Sequence, residues 1–396
     1  MKVLTFGCRL NAFESAVMKQ MADDLDIILV NTCAVTGEAE RQCRQAIRRA
    51  YRENPGVPIV VAGCAVQLHP EVYAGMPEVA RVLGNQEKLS RALLAQSDPI
   101  AVAEVGDKPF DLPIISDFEG RTRAFLQIQQ GCDHRCTFCV VPLVRGRAAG
   151  LPPEQVIEQA RAFARAGFAE LVLTGVDIAS YPGGLAPLTR TLLQAVPEIR
   201  RLRFGSLDPA RLDDDFIQLM QDFPQVMPYL HLSMQSGDNL ILKRMGRRHT
   251  REQVLDFIRS ERAVRPDLTI GADIITGFPT ETEEQFLNTM DFVRRGFATH
   301  LHVFPYSARA GTPAAKMPPV PVPVRKERAR RLRELGQKLH DDLLNSCLRR
   351  KISVLIEQDG CGWSDTYVKV RTPHRDKSGQ ITEVVIQKVE NHELVG

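Results

Sequence analysis

Cys132, Cys136 and Cys139 stand in the run GCDHRCTFC with the spacing C-x3-C-x2-C. Three thiolates placed this way can hold an iron–sulfur cluster and leave one iron without a protein ligand. Such an iron keeps a coordination position for another molecule, as an open catalytic zinc site does. A zinc knuckle or a group of buried thiols is the plainer alternative. It fits less well, because structural zinc closes with four ligands and neither a fourth Cys nor a suitably spaced His follows.

A second set of thiols emerges from the pattern around it. In the first hundred residues short apolar runs alternate with helical stretches: strands at Val3–Phe6, Ile27–Asn31 and Ile59–Ala62, helices near Ala12–Asp23 and Glu38–Glu53. That alternation predicts a parallel sheet with helices on its faces. Cys8, Cys33 and Cys64 each follow one of the three runs. The carboxyl ends of parallel strands share one edge, where open α/β sheets build their sites, so three thiols remote in sequence should converge. Cys43 is different. It lies on the apolar face of its helix with Ala39, Ala46, Ile47 and Ala50, opposite a stripe of Arg41, Arg44, Arg48 and Arg52, and reads as a structural thiol. The stripe is a solvated face in the first instance and an RNA contact in the second.

The residues that must position the first trio come next. After a linker at about Phe110 to Asp117, strands are expected at Ala124–Gln130, Glu170–Thr174, Arg203–Ser206, Tyr229–Ser233, Thr269–Ile275 and His300–Phe304, with helices such as Glu154–Ala166, Arg251–Val264 and Glu283–Arg294 between several of them. Six strands with helical crossovers imply an incomplete β/α barrel, since closure usually takes eight. Their carboxyl ends read GCDHRC, TGVDI, SLDP, MQSGD, GFPTE and PYSARAGTP. Any one of these could be ordinary turn chemistry, but six together suit a ligand site at the barrel mouth. The stretch Met317–Val324 reads as a stiff proline-rich connector, followed by a basic helix with Leu332, Leu335, Leu339 and Leu343 on one side. KISVLIEQ, TYVKVRT and ITEVVIQKV then suggest a small oligonucleotide-binding-like barrel, in which Trp363 and Tyr367 read as packing residues.

Composition sets the outer bounds. A chain of 396 residues with 44% hydrophobic and 25% charged residues is expected to form two or three soluble domains. No run approaches transmembrane length and the start lacks a signal-peptide pattern, so a cytoplasmic location without membrane attachment is expected. Nine cysteines grouped after apolar runs point to a reducing compartment and metal ligation, not to disulfides. Net charge is only +3, yet Arg325–Lys351 holds ten Lys/Arg against four Asp/Glu and Lys243–Arg251 holds five basic residues. Such segments fit a polyanionic partner or a solvated helix face.

The whole chain resembles the radical S-adenosylmethionine (SAM) methylthiotransferases. The resemblance rests on GCRLNAFES, VNTCAVTGEAERQCRQAIRRA, VAGCAVQ, GCDHRCTFCVVP, LTGVDI, HLSMQSG, RMGRRHT, DIITGFPTETEEQF and LHVFPYSARAGTPAA, in that order. It implies an α/β chain with a flavodoxin-like parallel N-terminal domain carrying a second cluster (1–110), a partial (β/α)6 radical SAM barrel (118–324), and a basic linker helix with a TRAM-like RNA-binding barrel (325–396). GEAERQCRQAIRRA and HVFPYSARAGTPAA are most similar to the branch that modifies threonylcarbamoyladenosine in tRNA. Other branches act on isopentenyladenosine in tRNA or on an aspartate of a ribosomal protein. Ala148-Ala149-Gly150 departs from the Arg/Ser pair common in relatives.

By that resemblance Cys132, Cys136 and Cys139 hold a [4Fe–4S] cluster that binds SAM, and Cys8, Cys33 and Cys64 hold a second one that carries the transferred sulfur. Phe138 shields the first cluster, Ile275 and Gly277 pack on adenine, and Gly175 and Gln235 are further SAM contacts. The partners implied are a tRNA anticodon stem-loop, an external electron donor and a sulfur donor. A C–H bond on an aromatic base has no acidic proton at neutral pH, which is why a radical cofactor is needed and no general acid or base stands out. A non-catalytic RNA-binding iron–sulfur protein is the competing reading from another class.

Overall fold

Five parallel strands begin the chain and lie side by side in chain order: β1 (Lys2–Thr5), β2 (Ile28–Thr32), β3 (Ile59–Gly63), β4 (Arg81–Leu83) and β5 (Ile100–Ala101). This is a computed structural model, and it describes residues 1–96, 98–106, 112–118 and 120–396. Strands β2 and β3 are buried along their whole length, as strands covered on both faces must be. Ile28, Val30 and Val61 pack against Ile47 and Ala50 of α2 (Gly37–Glu53). Leu29, Val60 and Ala62 pack on the other face with Met18 and Ala22 of α1 (Arg9–Ala22). The layers match the expected α/β domain, but the strand order 1-2-3-4-5 puts β1 at an edge, where flavodoxin itself has 2-1-3-4-5. Helix α1 starts before the expected Ala12, because Cys8 in extended backbone already serves as its N-cap.

The barrel strands are β6 (Arg123–Gln127) and the segments Glu170–Thr174, Arg201–Phe204, Ser206–Leu207, Tyr229–Gln235, Thr269–Thr276 and Ala298–Pro305. The strand expected at Arg203–Ser206 is broken at Gly205. Its first half pairs with Glu170–Thr174 and its second with Tyr229–Gln235, so one chain segment joins two parallel sheets into a single arc. Pairing is parallel throughout. Outward residues such as Leu171, Leu173, Leu230, Leu232, Ile270 and Ile274 meet helix residues Val156, Phe163, Leu192, Phe286 and Phe292 in the largest apolar core.

Three expectations change. The expected linker falls partly outside the described residues, and its remainder is a packed strap: Leu112 and Ile115 join the barrel core, and Gln159 bonds both the N–H and the C=O of Ile115. The proline-rich connector shortens, because a helix runs over Val322–Ser346 with proline in its first turn, a position that needs no intrahelical N–H. That helix packs against the last barrel strand through Ala329, Leu332 and Leu339. Finally, the three C-terminal runs become six strands, Lys351–Ile356, Cys361–Ser364, Lys369–Arg371, Ile381–Val385, Lys388–Glu390 and Glu393–Val395, around Leu344, Val354, Ile356, Val370, Val384 and Leu394.

The C-terminal sheet also plugs the amino-terminal end of the barrel. Arg201 and Arg203 donate to the carbonyls of Trp363, Ser364 and Asp365, and Thr269 donates to Thr366. Tyr367 stacks between Trp363 (4.6 Å between centroids) and barrel residue Tyr229 (4.5 Å), while Arg9 donates to its hydroxyl at 2.9 Å. Both aromatics, each partly exposed, take part in this packing.

Candidate iron–sulfur and cofactor site

Cys33 and Cys64 directly follow β2 and β3, Cys8 lies three residues beyond β1, and the parallel sheet brings them to one edge. Cys33 lies close enough to feel the charge of both Cys8 and Cys64, and Cys8 that of Cys64. The approach is close enough to dictate the residue before Cys8: Gly7 adopts φ +95°, and a Cβ there would meet Cys33 Cβ at 2.7 Å and Sγ at 2.8 Å. Cys132, Cys136 and Cys139 are likewise mutually coupled and line one cavity of about 760 Å³ with Asp133, Arg135, Arg147 and Thr312. Gly131, at φ +68°, again precedes the trio, and a Cβ on it would run into the Arg147 carbonyl. Cys43 is buried on α2 away from solvent, and Arg41, Arg44 and Arg48 on that helix pair with Glu38, Glu40 and Glu78.

Both sets of donors suit a cluster. Backbone N–H groups of His134 and Val141 point at the sulfurs of Cys132 and Cys139 at 3.4 Å each, and Arg247 approaches that of Cys136 at 3.6 Å. In the other trio the Val35 N–H reaches Cys33 at 3.5 Å, and Asn85 and Arg145 reach Cys64 at 3.5 and 3.3 Å. Hydrogen bonds to sulfur are a principal means of tuning such centres. Burial pushes the Cys33 and Cys132 thiols up to about 12 and Cys139 up to about 11, so ionising them calls for a bound cation. The ligand atoms of Cys132, His134 and Asp177 also fall within 4.8 Å of one another, a mixed set that could take a single metal ion.

A buried charge network joins the two trios. Arg145 follows the Cys139 loop on the short helix Val141–Arg145, yet it donates to Cys64, to Asn11 and to Glu14 on α1. Lys88 meets the same Glu14 at 2.6 Å and also donates to Asn31 and Asn85. Burial alone would raise the Glu14 carboxyl, but Arg145 and Lys88 outweigh it and hold it below the usual range. Asn85 completes the link by donating to the carbonyl of Val144 at 2.7 Å. Sequence reading missed Arg145, Glu14 and Lys88; the only signal was a basic residue just past the cysteine motif.

The expected SAM contacts gather at the barrel mouth with one exception. Phe138 and Ile275 share an apolar cluster with Ile241, Met245, Phe278 and Tyr306, and Phe138 meets Phe278 edge-on at 6.4 Å. Gly175 ends its strand beside Gln129. Gln235 ends its strand at an irregularity in the register, with φ +68°, the kind of unfavourable backbone that functional sites retain. Gly277 instead lies under the stem of Arg325 from the long helix, and its N–H donates to Glu281 at 2.9 Å. Sequence reading also missed Asp208 and Arg247. Arg247 donates to Asp208 at 2.9 Å and to the Ser233 carbonyl at 2.7 Å, which ties the Cys136 loop to two strand ends. Burial opposes ionisation of Asp208, but His249 and Arg247 hold its carboxyl well below the usual range.

The fold and the position of the first trio define a radical SAM architecture. The Radical SAM superfamily model matches residues 126–293, and the model named Uncharacterized protein family UPF0004 matches residues 1–84. The radical SAM methyltransferase TsrM of Kitasatospora setae superposes with a TM-score of 0.57 at 17% identity, covering 78% of this chain and 67% of that one. Among curated relatives, a threonylcarbamoyladenosine tRNA methylthiotransferase (MtaB) of Rickettsia prowazekii is 42% identical over 98% of this chain and 95% of its own length. The Bacillus subtilis protein of the same name is 33% identical over 97% and 93%. A tRNA-2-methylthio-N(6)-dimethylallyladenosine synthase of Rickettsia conorii is 32% identical over 100% and 98%. The chain belongs to the radical SAM tRNA methylthiotransferase family. SAM and a [4Fe–4S] cluster are the cofactors of that class, and tRNA is its substrate. Among the described residues, no helix is long and apolar enough to cross a membrane.

Proposed function

We propose that this enzyme adds a methylthio group to C2 of N6-threonylcarbamoyladenosine beside the tRNA anticodon, using two [4Fe–4S] clusters. The observation that carries the reading is the convergence of Cys8, Cys33 and Cys64 at a sheet edge that Arg145 links to the loop of Cys132, Cys136 and Cys139. When bound, the clusters and SAM would supply the radical and the sulfur. The protein's own part is to hold each cluster by three thiolates, to feed hydrogen bonds to their sulfurs, and to keep both trios on one face of the assembly. On this reading residues 1–110 carry the sulfur-bearing cluster, 118–324 the radical chemistry, and 325–396 the RNA grip. The threonylcarbamoyl assignment draws support from relatives at 42% and 33% identity that bear that name. Relatives named for the dimethylallyl substrate reach 34%, which makes that nucleoside the second reading.

Two features bear on the RNA grip. Much of the positive charge on the long helix is consumed internally: Arg328 and Arg331 pair with Glu281 and Glu283, and Arg330 pairs with Glu327. The strand cations Lys351, Lys369, Arg371 and Lys388 are paired as well, with Glu383, Glu393 and Glu390. Phosphate contacts would therefore fall to cations outside these pairs, such as Arg349, Arg350, Arg375 and Lys377, and would be salt-sensitive. Anticodon loops already offer unstacked bases, so presenting the adenosine costs less than it would in a duplex. The reductant and the sulfur donor would come from outside the chain, and the enzyme would work where tRNA is, in the cytoplasm. Mass spectrometry of tRNA nucleosides from cells with and without the protein tests the assignment. The methylthio mark on threonylcarbamoyladenosine should disappear with the protein; loss from the dimethylallyl nucleoside instead would select the second reading.

A further inference from the structure

The barrel lumen holds a polar cluster that neither cysteine trio uses. His231, Asp273 and His302 stand on three adjacent strands, with their ligand atoms within 4.8 Å of one another. Asp273 Oδ1 accepts from His231 Nε2 at 3.0 Å and from His302 Nδ1 at 3.1 Å, and Tyr229 OH meets His231 Nδ1 at 2.8 Å. Burial alone would raise the Asp273 carboxyl, but the two imidazoles outweigh it and hold it below the usual carboxylate range. Ser206 Oγ closes the other side at 3.5 Å from Asp273 Oδ2.

Packing makes this more than a polar corner. Barrel interiors are normally filled with branched apolar side chains. Here Ile274, fully buried, and Val303, 7% exposed, face outward, whereas the side chains of Asp273 and His302 are 20% and 60% exposed. Among the described residues Phe304 alone brings an apolar ring against His302, at 6.4 Å. The lumen therefore opens to solvent beside this cluster. Asp273 is two residues before Ile275, which puts it roughly 7 Å below the barrel mouth. Its hydrogen bond fixes the His302 ring, and among the described residues His302 Nε2 has no partner. Deeper in the lumen the charges are internally matched: Arg203 and Arg201 meet Glu170 at 2.9 and 3.6 Å, and Arg123 pairs with Glu357 at 3.2 Å, which leaves the polar groups near the mouth to meet a ligand.

We propose that this cluster is the subsite for the N6 substituent of the target adenosine, with His302 Nε2, the acceptor nitrogen once Nδ1–H is given to Asp273, accepting from its hydroxyl. The inference rests on the threonylcarbamoyl reading and deepens it. A base whose C2 faces the mouth can send its N6 arm down the lumen, and a threonylcarbamoyl arm brings a carboxylate, a hydroxyl and amide groups to polar walls. A dimethylallyl arm would leave those walls unpaired, and a site built to hydrogen-bond discriminates strongly against an analogue that cannot. His302 would then be a specificity-determining residue.

The test uses the cluster-loaded full chain and three anticodon stem-loops that differ only in the adenosine: threonylcarbamoylated, dimethylallylated or unmodified. Wild type should bind the first about tenfold more tightly than the other two. His302→Leu should level the three affinities and His302→Gln should restore part of the difference, with SAM cleavage in the absence of RNA unchanged in both. Wild-type preference that survives His302→Leu intact would overturn the subsite alone. Wild-type preference for the dimethylallyl loop would overturn the functional reading and the subsite with it. A zinc ion held in addition to the cluster irons, and lost in Asp273→Asn, would make the cluster a metal site and overturn the proposal.

Discussion

Arg145 Nε donates to Cys64 Sγ at 3.3 Å, across the boundary between the barrel's cysteine loop and the N-terminal sheet. The same guanidinium pairs with Glu14, whose other partner is Lys88, and all three side chains are buried. One residue thus bridges from the helix after the Cys139 loop to Cys64 and balances the buried charge of Glu14. Arg145→Gln should cost about 3 kcal/mol, because it leaves a buried carboxylate short of a partner. Iron content should fall from about eight toward about four per chain, the loss of one four-iron cluster. Thermal melting under anaerobic conditions and iron analysis measure both, and a variant with full iron and an unchanged melting temperature would show that the contact is incidental.

Cys33→Ala separates the roles of the trios. It should abolish methylthiolation while SAM cleavage by the reduced protein continues, since the Cys132 trio is untouched. Loss of SAM cleavage with the N-terminal cluster retained would reverse the proposed division of labour.

Tyr367 tests whether the C-terminal aromatics pack or bind RNA. Half-buried between Trp363 and Tyr229 and bonded by Arg9, it should behave as a packing residue, with Tyr367→Ala destabilising the protein by about 3 kcal/mol. Denaturant unfolding gives the number. A variant of native stability that bound tRNA poorly would make Tyr367 a stacking platform instead.

Glu261 provides a pH handle remote from the site. It is fully buried on the helix Arg251–Val264, neither carboxylate oxygen has a hydrogen-bond partner among the described residues, and burial pushes its carboxyl up to about 8. The folded state therefore holds a proton that the unfolded chain releases near pH ~4.3. Its contribution is fully present below that value and is lost as pH rises toward about 8. Glu261→Gln should accordingly melt with wild type near pH ~4.5 and above it near pH ~8.5, by a margin on the order of a few kcal/mol. Equal melting at both values would show that the carboxylate is solvated when ionised.

Much of the framework was legible because it depends on local pattern. Alternating apolar runs located β1 to β3 and the barrel strands to within a few residues, and turn-rich segments marked the mouth. The misreadings each have a physical reason. The strap Leu112–Asp117 has no periodicity, so its burial against Gln159 left no trace in sequence. The connector before the long helix ended early because proline is tolerated in a first turn. ITEVVIQKV divided into two strands because Ile386 turns back to bond Arg349 and Arg350 near the end of the long helix.

The cysteine spacing and the order of motifs by themselves determined the chemistry: ligand type and number are properties of the residues, and parallel strands oblige their ends to share an edge. Which charged residues attend those ligands was decided only in three dimensions. Arg145, Glu14 and Lys88 come from three separate stretches of chain, as do His231, Asp273 and His302; Glu14 and the last three lie in motifs that carry the resemblance, yet no motif states which side chains meet. For Arg145, Glu14 and Lys88 the reason is burial, which makes an unpaired charge costly, and for all six it is the packing that brings their partners within reach.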